Sequence, residues 1–139
     1  MIAMNWVVLC IVTIISWGLW GLFNKFALNN LHWTEVYFAS NLALFVASVL
    51  IWASQKPSIS VGSAGFNYAI VAGVMMALGA VAFYVALQTG KAMVVVPLTS
   101  LYPVVTIMLS YLILHEQISL TKGLGIVLAV VALVLMALE

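Results

Sequence analysis

Residues 92–115 read Ala-Met-Val-Val-Val-Pro-Leu-Thr-Ser-Leu-Tyr-Pro-Val-Val-Thr-Ile-Met-Leu-Ser-Tyr-Leu-Ile-Leu-His, with no charged side chain between Lys91 and Glu116. A helix rising about 1.5 Å per residue crosses the ~30 Å hydrocarbon core of a bilayer in roughly 20 residues, so this one run is long enough to span it. The pattern repeats outward in both directions. The charged residues are Lys25, Glu35, Lys56, Lys91, Glu116, Lys122 and Glu139, and they punctuate charge-free runs at 1–24, 36–55 and 57–90, with a shorter one at 123–138. The spacing predicts an all-α integral membrane chain of five transmembrane helices, over about 4–24, 34–53, 67–88, 93–114 and 119–138. A loop, Pro57-Ser-Ile-Ser-Val-Gly-Ser-Ala-Gly65, precedes the third.

Composition supports the same class. The chain is 67% hydrophobic and 5% charged, with a mean hydropathy of +1.30, whereas a soluble domain is roughly 45–50% apolar and about 25% charged. Segments of about ten residues alternating in polarity, the signature of a membrane β-barrel, are absent from the sequence. The first apolar segment lacks a basic leader and is too long for a cleavable signal peptide. Cys10 is alone, so no internal disulfide forms. The cations are four scattered lysines with no arginine, which argues against a nucleic-acid partner. Between the helices, Asn29-Asn30 is expected to close the first hairpin and Gly90-Lys91 to form a tight turn. Thr34, ahead of Glu35, is expected to cap the second helix and Ser119 the fifth.

Nothing in the chain assembles a catalytic group. His32 and His115 fall in different loops, there is no Asp, and no phosphate loop or nucleophile motif is found. No catalytic residue, metal site or cofactor is expected. What the helices do carry is polar and aromatic stripes. Thr13, Trp17, Trp20 and Asn24 follow helical steps of four, three and four. Thr34, Phe38, Asn41, Phe45 and Ser48 do the same, Tyr84 and Gln88 sit one turn apart, and Thr99, Pro103, Thr106 and Ser110 repeat the spacing. Polar groups are costly in hydrocarbon and are expected to face a partner helix or a wet cavity. Aromatic walls with a few orienting hydrogen bonds suit a small amphipathic molecule. Trp17, Trp20, Asn24, Asn41, Phe45, Tyr84, Gln88, Thr99, Pro103 and Thr106 are therefore the candidate substrate-binding residues.

Each stripe also has a plainer reading. Trp6, His32-Trp33 and Trp52 suit interfacial anchors, Thr106 and Ser110 can bond their own helix, and Asn41 can serve as glue between helices. Pro103 has no N–H, so the Thr99 carbonyl loses its helical partner and the helix can kink there, either as a hinge beside a cavity or as a static bend.

The stretch from Ala86-Leu-Gln-Thr-Gly-Lys91 through Pro103 and Leu112-Ile-Leu-His-Glu116 to Gly123-Leu-Gly125, together with Trp17-Gly18 and Lys25, resembles the EamA domain of the drug/metabolite transporter superfamily. The resemblance implies a membrane transporter, alternating access, and a single five-helix unit where larger members have two. Many members carry an Arg in the second helix where this chain has Asn41, and losing that fixed positive charge speaks against an anionic substrate.

A unit with an odd number of crossings begins and ends on opposite sides, so tandem copies are automatically inverted. A lone copy recovers that symmetry only by pairing oppositely inserted molecules. Lys56 and Lys122 fall on the N-terminal side of the membrane and Lys25 and Lys91 on the other, a tie under the rule that cationic loops stay cytoplasmic. The reading is a small-molecule transporter working as a dual-topology antiparallel homodimer in a prokaryotic inner membrane. Gly125, Ala129 and Ala132 are its candidate dimer interface, though they equally suit packing within one subunit. No carboxylate lies mid-membrane and only Glu35 can tip inward, so facilitated transport or exchange is favoured over proton coupling. Three alternatives stay open: a subunit of a heteromeric transporter, a flippase for lipid or lipid-linked sugar, and a non-transporting scaffold.

Overall fold

The computed structural model describes residues 5–137; the expected ends of the first helix at Met4 and of the last at Leu138 lie outside the described residues. The elements are α1 Trp6–Leu28, α2 Trp33–Gln55, α3 Ala64–Thr89, α4 Ala92–Thr99, α5 Tyr102–Ile113 and α6 Leu120–Ala137. Among the described residues there is no strand. The first three helices are each long and apolar enough to cross a membrane, and so is the run Ala92–Ile113 that holds α4 and α5. With 18 residues, α6 reaches about 27 Å, a little short of the ~30 Å core. The chain is an all-α, multi-pass integral membrane fold. It divides into two compact units, Met1–Thr89 and Gly90–Glu139.

In the first unit, local chemistry sets where helices start and stop. Asn5 caps α1, its side chain accepting the Val7 N–H at 3.1 Å. The cap of α2 is His32 rather than Thr34. The His32 N–H donates to Glu35 Oε2 at 2.9 Å while His32 Nδ1 accepts the Thr34 N–H at 3.4 Å. This reciprocal box satisfies orphan amides two residues earlier than a Thr34 cap would, and the helix begins at Trp33. It also holds the Glu35 carboxylate at the helix N-terminus, not tipped into the membrane. Glu35→Ala is expected to weaken this end by about 0.5–1 kcal/mol, read as amide exchange at His32–Val36 faster by about two- to five-fold.

The second helix ends at Lys56, which takes the left-handed conformation (φ 44°, ψ 47°), and Pro57 blocks continuation. The third begins at Ala64, inside the stretch expected to be loop. Gly62 turns the chain at φ 84°, and the Ser63 hydroxyl accepts the Phe66 N–H at 3.2 Å, which caps α3 early. Each of the three helices packs on the other two. Their buried side chains are Asn24, Leu28, Val36, Tyr84 and Leu87. Most large apolar residues, Phe38, Leu50 and Met76 among them, are exposed, as suits a surface whose solvent is lipid.

In the second unit the expected continuous fourth helix is interrupted. It stops at Thr99 and resumes at Tyr102. Two prolines explain this: Pro97 inside α4 removes the N–H that would bond the Met93 carbonyl, and Pro103 removes the one for Thr99. Pro103 stands in the first turn of α5, where a missing N–H costs nothing, so it starts a helix instead of kinking one. The link is a tight turn: the Ser100 N–H donates to the Val96 and Pro97 carbonyls at 3.1 and 3.0 Å, and Leu101 N–H to Leu98 at 3.2 Å. The α4 segment packs against α6, whose start is capped by Ser119, its hydroxyl accepting the Lys122 N–H at 3.3 Å.

Candidate functional site

The densest polar and aromatic grouping lies in the first unit, where the last turns of α1 and α3 meet the start of α2. Asn24 is only 4% exposed and Tyr84 only 2%. The Asn24 amide donates to the Trp20 carbonyl at 2.9 Å and its Oδ1 accepts the Ser40 hydroxyl at 3.3 Å, which ties α1 to α2. The Tyr84 hydroxyl is within hydrogen-bonding reach of Ser40 and Asn24, which brings in α3. Such a network is worth more than separate pairs because each buried polar atom depends on the others for satisfaction.

Aromatic rings enclose this network. Trp20 stacks on Phe83 with centroids 5.1 Å apart and meets Tyr84 edge-on at 6.2 Å, while Tyr37 meets Tyr84 edge-on at 5.6 Å. Both offset stacking and T-shaped contact match the ring quadrupoles. Trp20 remains 42% exposed, so one side of the stack is a packed wall and the other faces outward. Beside it, the half-buried Lys25 donates from Nζ to the Leu87 carbonyl at 2.8 Å. Leu87 lies in the last turn of α3, whose carbonyls lack helical partners, so the ammonium both caps them and complements the negative helix end.

The structure thus gathers Trp20, Asn24 and Tyr84 of the candidates from the sequence. Gln88 is half-buried one turn beyond Tyr84. Trp17 and Phe45 are well exposed, and the exposed Asn41 donates its amide to the Tyr37 carbonyl of its own helix at 2.8 Å. In the second unit, Thr99 donates to the Val95 and Val96 carbonyls at 2.8 and 3.0 Å and Thr106 to Tyr102 at 3.3 Å, both within their own helices. Pro103, Gly125 and Ala129 line a groove between α5 and α6, and Ala132 is exposed.

Tyr37, Ser40, Phe83 and Lys25 escaped the sequence reading. On α2 the face in use is Val36, Tyr37 and Ser40, adjacent to the stripe through Phe38 and Asn41. Helical spacing reveals that both stripes exist without saying which one meets a neighbour. The Lys25–Leu87 bond spans 62 positions, beyond any local spacing rule.

An apolar multi-helix fold with an amide, hydroxyl and aromatic cluster inside its crossing segments defines a multi-pass membrane protein. The model of the EamA-like transporter family matches residues 4–138, and the chain belongs to that family. It is 33% identical over 99 residues to an uncharacterized protein of the archaeon Methanocaldococcus jannaschii, an overlap covering 71% of this chain and 72% of that protein. No solved structure matches the chain significantly.

Proposed function

We propose that this chain carries a small neutral or zwitterionic molecule, aromatic in part, across a prokaryotic plasma membrane by alternating access, as an antiparallel homodimer of oppositely inserted copies. The observation that carries the reading is the Trp20–Phe83 stack, backed by the Asn24–Ser40–Tyr84 network. It offers an outward aromatic face with amide and hydroxyl groups directly behind it, and Trp17, one turn earlier on α1, extends the same side. The Lys25 ammonium of α1 is held against the Leu87 carbonyl. Asn41 stands where many members of the family carry an Arg, so that fixed charge is missing from α2, which supports an uncharged or internally balanced substrate. The capping role of Glu35 supports transport without a membrane-buried proton carrier.

The test is uptake into proteoliposomes holding the purified chain alone, screened with radiolabelled aromatic amino acids, nucleosides and other small zwitterions. Wild type is expected to move at least one of them. Trp20→Ala and Trp17→Ala are expected to lower its initial rate by about three- to tenfold, the loss of roughly one aromatic contact, while Tyr68→Ala, 76% exposed near the start of α3, leaves it unchanged. Uptake that requires a second, co-reconstituted chain would identify a heteromeric subunit. Movement of a labelled lipid instead of soluble probes would identify a flippase, and no uptake of either would leave a scaffold.

A further inference from the structure

The broken fourth crossing has a structural product in the second unit. Because α4 packs on α6 and the Pro97–Pro103 segment redirects the chain, α5 and α6 leave between them a groove of about 420 Å³. Its walls are apolar along their length: Val104 and Ile107 from α5, Ile126 and Leu133 from α6. Gly125 and Ala129 withdraw side-chain bulk from the α6 side and leave it deep enough to hold a chain of methylenes.

The groove has a direction and a length. One end lies at the 114–119 loop, where Tyr111, Glu116 and Lys122 line it; the other lies at Ser100 and Leu133. From Lys122 to Leu133 the helical rise gives about 16 Å, and from Tyr111 back to Tyr102, the start of α5, about 14 Å. Half of the ~30 Å hydrocarbon core is ~15 Å, the depth of one leaflet. Both charges sit at the loop end, where headgroups lie, and both are exposed. They are of opposite sign, and among the described residues neither side chain makes an ion pair.

We propose that this groove is a binding site for one membrane phospholipid with a zwitterionic, primary-ammonium headgroup. One acyl chain lies along Gly125, Ala129 and Leu133, the Lys122 ammonium meets the phosphate, and the Glu116 carboxylate accepts hydrogen bonds from the headgroup ammonium. The charge pattern selects this occupant. An anionic headgroup satisfies Lys122 but faces Glu116 with no cation. A quaternary ammonium carries the charge but has no N–H to donate. A transmembrane helix of a second copy would lay apolar side chains against two charges. A small water-borne solute has no use for a leaflet-deep apolar slot. The site is separate from the aromatic cluster of the first unit and does not depend on what the protein transports.

The test is native mass spectrometry of the full chain released from nanodiscs made of equal parts phosphatidylethanolamine, phosphatidylcholine and phosphatidylglycerol with identical acyl chains. Retention of phosphatidylethanolamine is expected to exceed that of each competitor by about tenfold, the worth of one charge-assisted hydrogen bond. Glu116→Gln is expected to abolish the preference over phosphatidylcholine. Lys122→Gln is expected to weaken retention of all three lipids. Both positions are exposed near helix ends, so the fold tolerates these changes. Ala129→Leu fills the groove and is expected to remove the bound lipid, whereas Val127→Leu, exposed and not among the groove-lining residues, retains it. Equal retention of the three lipids by wild type, or a preference that survives Glu116→Gln, overturns the proposal. So does a lipid-free dimer that dissociates on Ala129→Leu, since the groove would then hold a second copy.

Discussion

Tyr84→Ala is expected to destabilise the first unit by about 2–4 kcal/mol, the largest single effect among its side chains. Tyr84 is 2% exposed, its ring is met edge-on by Trp20, Tyr37 and Phe83, and its hydroxyl joins the Asn24–Ser40 pair. Between helices in lipid no water-transfer term rewards burial, because the surrounding tails are as apolar as the core. The cost therefore comes from dispersion attraction forfeited around a cavity and from buried polar atoms left short of a partner. Tyr84→Phe keeps the ring and isolates the Asn24–Ser40 pair from its third member, at about 1 kcal/mol. Denaturant titration in micelles, with amide exchange along α1 and α3, separates the two variants. Tyr68→Ala, exposed on the same helix, is the control. Equal midpoints for Tyr84→Ala and Tyr68→Ala would mean that the ring cluster does not hold the three helices together.

The second large effect concerns insertion. Under the proposed dual topology, Ser58→Cys in a Cys10→Ala background is expected to react in about half the molecules when intact cells meet an impermeant thiol reagent. Ser58 is exposed in the 57–63 link and free of the capping role of Ser63. Single charge removals then break the tie in opposite senses. Lys91→Gln leaves two lysines on the N-terminal side against one, which holds the 57–63 link in the cytoplasm and takes labelling towards none. Lys56→Gln leaves one against two, exports the link and takes labelling towards completion. Lys25 is a poor choice for this experiment because it also caps α3 through Leu87. All-or-none labelling of the starting protein would rule out a homodimer of opposed copies and direct attention to a partner chain inserted the other way.

Each of these outcomes rests on a different kind of legibility. The membrane class, the number of apolar runs and the Ser119 cap could be read directly, because they depend on transfer free energy and on amides within one turn. The effect of Pro97 is just as local, yet it is masked by Pro103. Pro97 stands six residues ahead of it, and only the two together end one helix and begin another. The early start of α3 likewise turned on local features, Gly62 and Ser63, whose joint effect is a loop geometry and not a periodicity.

The candidate site was half legible for a physical reason. A stripe at steps of three and four states that one face of a helix differs from the rest, and Trp20, Asn24 and Tyr84 were found that way. Two adjacent stripes on α2 satisfied the same rule, and packing put Tyr37 and Ser40 inward and left Phe38 and Asn41 outward. In water the apolar face would have betrayed itself by burial. In lipid both faces are apolar and the moment is weak, so the rotation of each helix follows from which side chains interlock.

What the sequence by itself determined is the solvent this chain folds in, the number of its apolar runs, and the lysine balance behind the proposed topology. These are sums over near neighbours. Tertiary structure alone decided that Lys25 closes the end of a helix 62 residues away, that Ser40 bonds Asn24, and that α5 parts from α6 to leave a leaflet-deep groove. Those depend on which surfaces of separate helices meet, and no spacing along one chain encodes a meeting between two.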